Sequence, residues 1–269
     1  MGSIEVNRDS IRRYDGTLPV FRLGERSRAG GEHVLELAAR LAPDAERREL
    51  SDTAIGVYDD KRLLAFTDRE SGDSIMLPQL EVLRPADGLD ERARAEASQF
   101  SERDDLFPAD RTSRMVLDPI MLRGSRAARR RPDETATYLA VSKVQRNVEG
   151  IPVVGKGSRV TLAVSADGVE GVSHNWRQAD VVDELSGGDI DPDRVAELIT
   201  EDLRLVAEDK DVRVESVELA YYDGDQDFIQ PVYRYHATYG GDDVPTARLL
   251  GFVPALRLYE PLRVTVPVP

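Results

Sequence analysis

Histidine is the side chain that exchanges a proton near neutral pH, and this sequence holds three: His33, His174 and His236. Joint work in catalysis or metal binding would require them to meet in space with carboxylates, yet they are scattered along the chain. His174 stands in Val172-Ser-His174-Asn-Trp176, where strand alternation puts Val172, His174 and the single tryptophan on one face. There it is either a hydrogen-bonded core histidine or, beside Trp176, a proton shuttle in a pocket. His236 follows Tyr235 and is the second candidate for moving protons. Of nine tyrosines, six lie after residue 220: Tyr221, Tyr222, Tyr233, Tyr235, Tyr239 and Tyr259. Counting by two puts Tyr233, Tyr235 and Tyr239 on one strand face, with Val232, Arg234 and His236 on the other. Tyrosine joins a large apolar body to a polar tip, so such a face serves sheet packing, recognition of a partner, or both. The candidate binding residues are therefore Trp176, Tyr221, Tyr233, Tyr235 and Tyr239, and the candidate catalytic residues His174 and His236.

Other chemistry is excluded by what the sequence lacks. Without cysteine there is no disulfide, no thiolate nucleophile and no cysteine-ligated metal. No His-Glu-x-x-His occurs; Glu32-His33 has no second histidine four residues on. Asp223, Asp225 and Asp227 alternate as in a calcium loop, but the downstream glutamate and flanking helices are missing, so the stretch reads as a hairpin turn. Gly155-Lys-Gly-Ser158 is not a phosphate loop, and neither a dinucleotide fingerprint nor a Gly-x-Ser-x-Gly elbow is present. The 50 carboxylates single out no acid–base pair. No cofactor and no metal is expected.

A net charge of −14 argues against nucleic acid as a partner. The exception is local: Arg123, Arg126, Arg129, Arg130 and Arg131 form a basic run, either a solvated loop or a grip for anionic groups. No apolar run approaches the roughly 20 residues of a membrane helix, so no membrane partner is expected. Residues 1–16 contain no apolar signal region.

The positioning elements read as follows. A short strand at 17–24 precedes a helix with Val34, Leu37, Ala38 and Leu41 at helical spacing, and Pro43 stops it. Three short apolar runs from Thr53 to Pro78 read as an antiparallel meander. A charged helix over 86–112 would bury Ala93, Ala97 and Phe100. A strand over 113–122 is edged or broken at Pro119. Strands from Tyr138 to Val148 and from Val160 to Val164 follow, then a tight Ser165-Ala-Asp-Gly168 turn and a return to Trp176. The best-marked helix begins at Asp191 as N-cap and Pro192 at the first helical position, with Val195, Leu198, Ile199, Leu203 and Val206 as its apolar stripe. Two Tyr-rich strands and a last strand complete the chain. The expected fold is α+β, antiparallel sheets with packed helices, its β-β-α-β-β order suggesting a duplicated β-α-β-β unit. The expected domains are 1–112 and 138–269, with 113–137 as an Arg-rich connection.

Gln145, Gly150-Ile-Pro-Val153 and Asp167-Gly168, followed by the 191–207 helix and Gln230-Pro-Val-Tyr-Arg-Tyr235, resemble the propeptide and PepSY modules of thermolysin-type metallopeptidases over residues 138–239. The resemblance implies α+β sheets with a packed helix and a binding role, inhibiting a peptidase or assisting its folding. It would place the protein outside the cell if a leader had been removed; otherwise the cytoplasm is the reading. The functional expectation is a non-catalytic protein-binding module whose partner is a protein such as a peptidase, docking on a tyrosine-bearing face or a sheet edge. The alternative is a cofactor-independent enzyme, a cyclase or isomerase. Its pocket would be lined by Trp176 and the C-terminal tyrosines, with a small-molecule ligand and His174 or His236 moving protons.

Overall fold

The computed structural model describes residues 2–70, 73–80, 82–124, 135–186, 191–207, 210–224, 226–241, 244–255 and 265–268. In chain order the first half runs β1 (Ile4–Glu5), β2 (Thr17–Arg26), α1 (Arg28–Leu41), β3 (Glu46–Glu49), β4 (Ala54–Asp59), β5 (Arg62–Asp68), β6 (Ser74–Met76), α2 (Leu89–Ser101) and β7 (Ser113–Gly124). The second runs β8 (Ala136–Val148), β9 (Ile151–Gly155), β10 (Arg159–Ser165), β11 (Gly168–Asn175), β12 (Arg177–Ser186), α3 (Pro192–Ala207), β13 (Val212–Asp223), β14 (Phe228–Gly241), β15 (Val244–Pro254) and β16 (Thr265–Val268). They form two compact units, one of Met1–Leu23, Gly150–Lys156 and Ala179–Pro269, the other of Gly24–Glu149 and Gly157–Gln178.

The second of these units is an antiparallel sheet in the order β7-β8-β10-β11-β6-β5-β4-β3. Each helix precedes a meander of four strands, and the two meanders meet where β6 pairs with β11. Ser27 caps α1 by accepting from the Gly30 amide, and Val34, Leu35 and Ala38 form its buried stripe. Gly88 starts α2 in the left-handed region, Asp90 and Glu91 complement its first turn, and Ala93, Ala97 and Phe100 face inward. Helix α1 lies over β4, β5, β6 and β11, and α2 over β7, β8 and β10. Between them and the sheet sit Val144, Val160, Leu162, Val164, Val172 and Trp176. Each such aliphatic side chain stabilises the fold by roughly 1.5–3 kcal/mol of burial.

The other unit is a mixed sheet. Strand β13 pairs in parallel with β1 and β9 and antiparallel with β14; β14 continues to β15, and β15 to β16. The start of β14 also pairs with β2 through Phe228↔Arg22 and Ile229↔Phe21, and β12 lies beside β2. The Asp191 carboxylate accepts from the Asp193 amide and starts α3, whose buried residues are Val195, Ala196, Ile199, Leu203 and Ala207. The helix packs on β14 and β15. Gly155 has φ +111°, and a Cβ there would come 2.1 Å from the Asp223 carbonyl oxygen of the paired strand. Gly155→Ala is therefore expected to lower stability by about 1–3 kcal/mol, read as a drop in the thermal midpoint. An unchanged midpoint would mean that the backbone relaxes there at no cost.

Two expectations are corrected. The α+β class with packed helices does not hold: among the described residues strand makes up 52% and helix 20%, so the protein is predominantly β. The reason lies in segments whose apolar alternation is absent or broken. Glu46–Glu49 is a strand of four exposed charged residues, and in Arg177–Ser186 the inward row of Ala179, Val181 and Leu185 is interrupted by Asp183. The division at 113–137 also fails to separate units. Ser113–Gly124 is strand throughout, paired with β8 on both sides of Pro119, and β8 and α3 belong to different units. The part of that connection covering residues 125–134, with Arg126, Arg129, Arg130 and Arg131, lies outside the described residues.

Candidate functional site

The second meander begins at β7, and its sequence Ser113-Arg-Met-Val-Leu-Asp-Pro-Ile-Met-Leu-Arg-Gly124 explains an exposed apolar surface. Strict alternation would put Val116 and Met121 on opposite faces, since they are an odd number of residues apart. The register against β8 shifts between Leu117 and Ile120, a bulge at Asp118-Pro119. After the shift both Val116 and Met121 pack on the core under α2. The same shift turns Ile120 and Leu122 outward, where they are 56% and 48% exposed. Among the described residues, β7 pairs with β8 alone, so it is an edge strand.

Beside it runs the segment that links β6 to α2. The Ala86 amide donates to the Thr137 carbonyl and pins this segment along the start of β8. Leu83 is buried, whereas Leu77, Val82 and Leu80 (62%) are exposed. Leu80, Leu83, Leu122, Arg123, Gly124, Tyr138 and Leu139 enclose a groove of about 420 Å³. Its lining is apolar, with one guanidinium at the rim. The sequence reading missed it, although Leu77, Leu80, Val82 and Leu83 in a stretch without helical or strand period were a signal of apolar residues with no assigned core.

The candidate catalytic residues do not come together. The ring of His174 is buried between Phe107 and Phe100, with centroids 5.7 and 6.3 Å away, and α1 sits on it so closely that a Cβ on Gly30 would lie 2.4 Å from the ring. Burial pushes its pKa down to about 4, against the hydrogen bond to the Leu106 carbonyl; nearby His33 lowers it further. Its Nε2 has no hydrogen-bond partner. His236, on β14, belongs to the other unit and is exposed.

Trp176 is a core residue as well. The edge of its ring meets Phe107 at 4.8 Å, and the Arg146 guanidinium stacks 4.7 Å from its centroid. Arg146 is fully buried and pairs at 3.3 Å with Asp110, whose side chain is 4% exposed. The other Asp110 oxygen accepts from the Thr112 amide and hydroxyl, and Arg146 donates to the Arg177 carbonyl. This pair was legible but overlooked: Arg146 falls in the same alternation as the inward Ala140, Ser142, Val144 and Val148 of β8.

The tyrosine face is covered. Tyr221, Tyr233 and Tyr235 are buried. The Tyr233 hydroxyl donates to the Arg12 carbonyl and that of Tyr235 to the Asp202 carboxylate on α3. Burial raises the Tyr233 pKa to about 12; for Tyr235 burial and Asp202 act in the same upward direction. Tyr239 keeps partial exposure, with the Lys210 ammonium 4.6 Å from its ring centroid. Asp223 is buried in β13, and Asp225 of the calcium-like stretch lies outside the described residues. Two further cavities, of about 640 Å³ at the start of α1 and about 270 Å³ along α3, have linings that include none of the candidate residues. Among the described residues, no three His, Asp or Glu side chains group to hold a metal. Among the described residues, no helix is long and apolar enough to cross a membrane.

No protein-family model and no curated protein matches the chain. Eleven chains of solved structures do. One is an uncharacterized protein from Eubacterium rectale ATCC 33656, with a TM-score of 0.42 and 12% identity over 88% of this chain and 82% of that one. At that level the likeness carries no statement about function.

Proposed function

We propose that the protein is a non-catalytic protein-binding module of the peptidase-propeptide kind, acting as an inhibitor or a folding assistant. The observation that supports this reading is the β7 edge with Ile120 and Leu122 turned outward beside an apolar groove. An edge strand offers unpaired backbone groups to an extended segment, and natural sheets usually protect such edges unless they are used. Docking on this edge replaces docking on the tyrosines, since Tyr221, Tyr233 and Tyr235 are buried. The enzyme alternative finds no support in the geometry, because His174 and Trp176 are enclosed by core side chains.

The test is functional. The chain is added to a panel of thermolysin-type metallopeptidases, and both residual activity and the yield of active peptidase on refolding are read. The expected result is inhibition, or a several-fold higher refolding yield, with at least one member, lost in Leu122→Asp. No effect on any member in either assay would overturn the reading.

A further inference from the structure

We infer that residues 102–112, the crossing from α2 to β7, form an acid-released strap: on acidification they leave the core of their unit while its sheet stays folded. The strap stands apart from the β7 groove and from the partner proposed for it. It consists of turns and bends alone. Its base is clamped, since the Arg114 guanidinium donates to the Ser101 carbonyl at 2.6 Å and Ser113 pairs with Asn147 of β8. Between these points Leu106, Phe107 and Asp110 reach the core. The Leu106 carbonyl accepts from the Ser27 hydroxyl at 3.0 Å and from the His174 ring. The Phe107 ring lies 4.8 Å from Trp176, 5.7 Å from His174 and 5.9 Å from Phe100. Asp110 holds its place through Arg146.

Leu106 and Phe107 are the buried apolar side chains of the strap, whereas the sheet and both helices share the large core behind it. A loop with so few buried contacts opens at lower cost than the strands and helices it covers. Its other ion pairs, Arg111 with Glu149 and Arg114 with Asp104, each have a partner in water and restrain it weakly.

Protons loosen its anchors. Phe100 of α2 and Phe107 of the strap flank the His174 ring, and its cross-strand neighbours are Ser74 of β6 and Val160 of β10, none of them charged. The charged group that acts on it is His33 of α1, which itself feels Glu36 and Arg40 of its own helix and Arg103 and Asp105 of the strap. A charged imidazole therefore meets no carboxylate here, and a charged His33 adds repulsion. Opening the strap returns the ring to water and to its ordinary pKa of 6.5 from about 4 in the closed form. Protons thus favour the open strap as the pH falls through that interval, by roughly 300-fold at most. At the other anchor, a proton on Asp110 would cancel the charge that faces the buried Arg146.

Trp176 is the single tryptophan and lies against Phe107, so its fluorescence reports the strap directly. The experiment takes the full chain from pH 7.5 to 4 and reads tryptophan emission, its quenching by acrylamide and far-ultraviolet circular dichroism on the same samples. The expected result is a red shift and at least a threefold rise in the quenching constant while the strand signal is retained. His174→Phe should remove more than half of that rise. Asp110→Asn, which deletes the counter-charge at any pH, should show raised quenching already at pH 7.5 with the strand signal intact. Should either variant fail to fold, the parent alone decides. Quenching that stays flat down to pH 4, or that rises only together with loss of the strand signal, would overturn the inference. So would a full rise in a folded His174→Phe, or unchanged quenching at pH 7.5 in a folded Asp110→Asn.

Discussion

Asp110→Ala is expected to cost about 3–5 kcal/mol, the largest effect of any single substitution considered. The carboxylate it removes is the 3.3 Å counter-charge of a guanidinium that water does not reach. Desolvating an arginine is tolerable only while its charge is matched; the Trp176 face and the Arg177 carbonyl, which its head also meets, carry no full negative charge. The same substitution also takes away the acceptor for the Thr112 amide and hydroxyl. The double variant Asp110→Leu with Arg146→Met is expected to regain most of the loss, because it deletes both charges and keeps the volume. Urea unfolding of the parent, the two single variants and the double variant at pH 7 measures this directly. If Asp110→Ala stays within about 1 kcal/mol of the parent, the pair is solvated more than its burial indicates.

The second large effect is a pH dependence. His174 has a folded-state pKa of about 4 against an ordinary value of 6.5, chiefly through burial. The unfolded chain therefore takes up this proton first as the pH falls. The stability associated with the neutral ring is complete above about pH 6.5, declines as the pH drops through the interval to about 4, and is level below it. Over that interval the loss is about 3 kcal/mol from this side chain. His174→Phe, placed among Phe100 and Phe107, removes the titration and keeps a ring. The difference between parent and variant unfolding free energies, measured from pH 7.5 to 4, should shrink by that amount. Parallel curves would mean that the ring is protonated in the fold, or reached by water.

How much of this was legible depends on whether a residue's environment is set by its neighbours in sequence. The helices were, since Asp191 and Pro192 mark one start, Pro43 marks one stop, and Ala93, Ala97 and Phe100 recur at helical spacing. The β10–β11 hairpin was too, with Gly168 at φ +125° in its turn. Glu149-Gly150 has both φ values positive, and Ile151–Gly155 after it is already strand. What escaped was decided at a distance. Glu46–Glu49 is a strand only because β4 supplies its ladder. The bulge at Asp118-Pro119 cannot be read from β7 alone, and with it went the facing of Ile120 and Leu122. The tyrosines were placed on one strand face, but nothing in that strand announced that Asp202 of α3 would take the Tyr235 hydroxyl or the Arg12 carbonyl that of Tyr233. The candidate groove was hidden for the same reason, as its walls come from three separated stretches of chain.

Neither unit is a single run of sequence, and this bears on how the protein is made. As a ribosome releases the chain, Phe21 of β2 appears early and must wait for Ile229 before its pairing with β14 can form. The unit that contains the groove does not receive its last strand until Asn175 has emerged. Pairings separated this far in sequence form slowly, because a long loop must close before any contact rewards it. Until then β7 is not the only apolar edge on display. During synthesis the nascent chain is thus a stronger candidate for chaperone capture than a helical protein of equal length, and truncation at any point before β14 leaves β2 with no strand but β12.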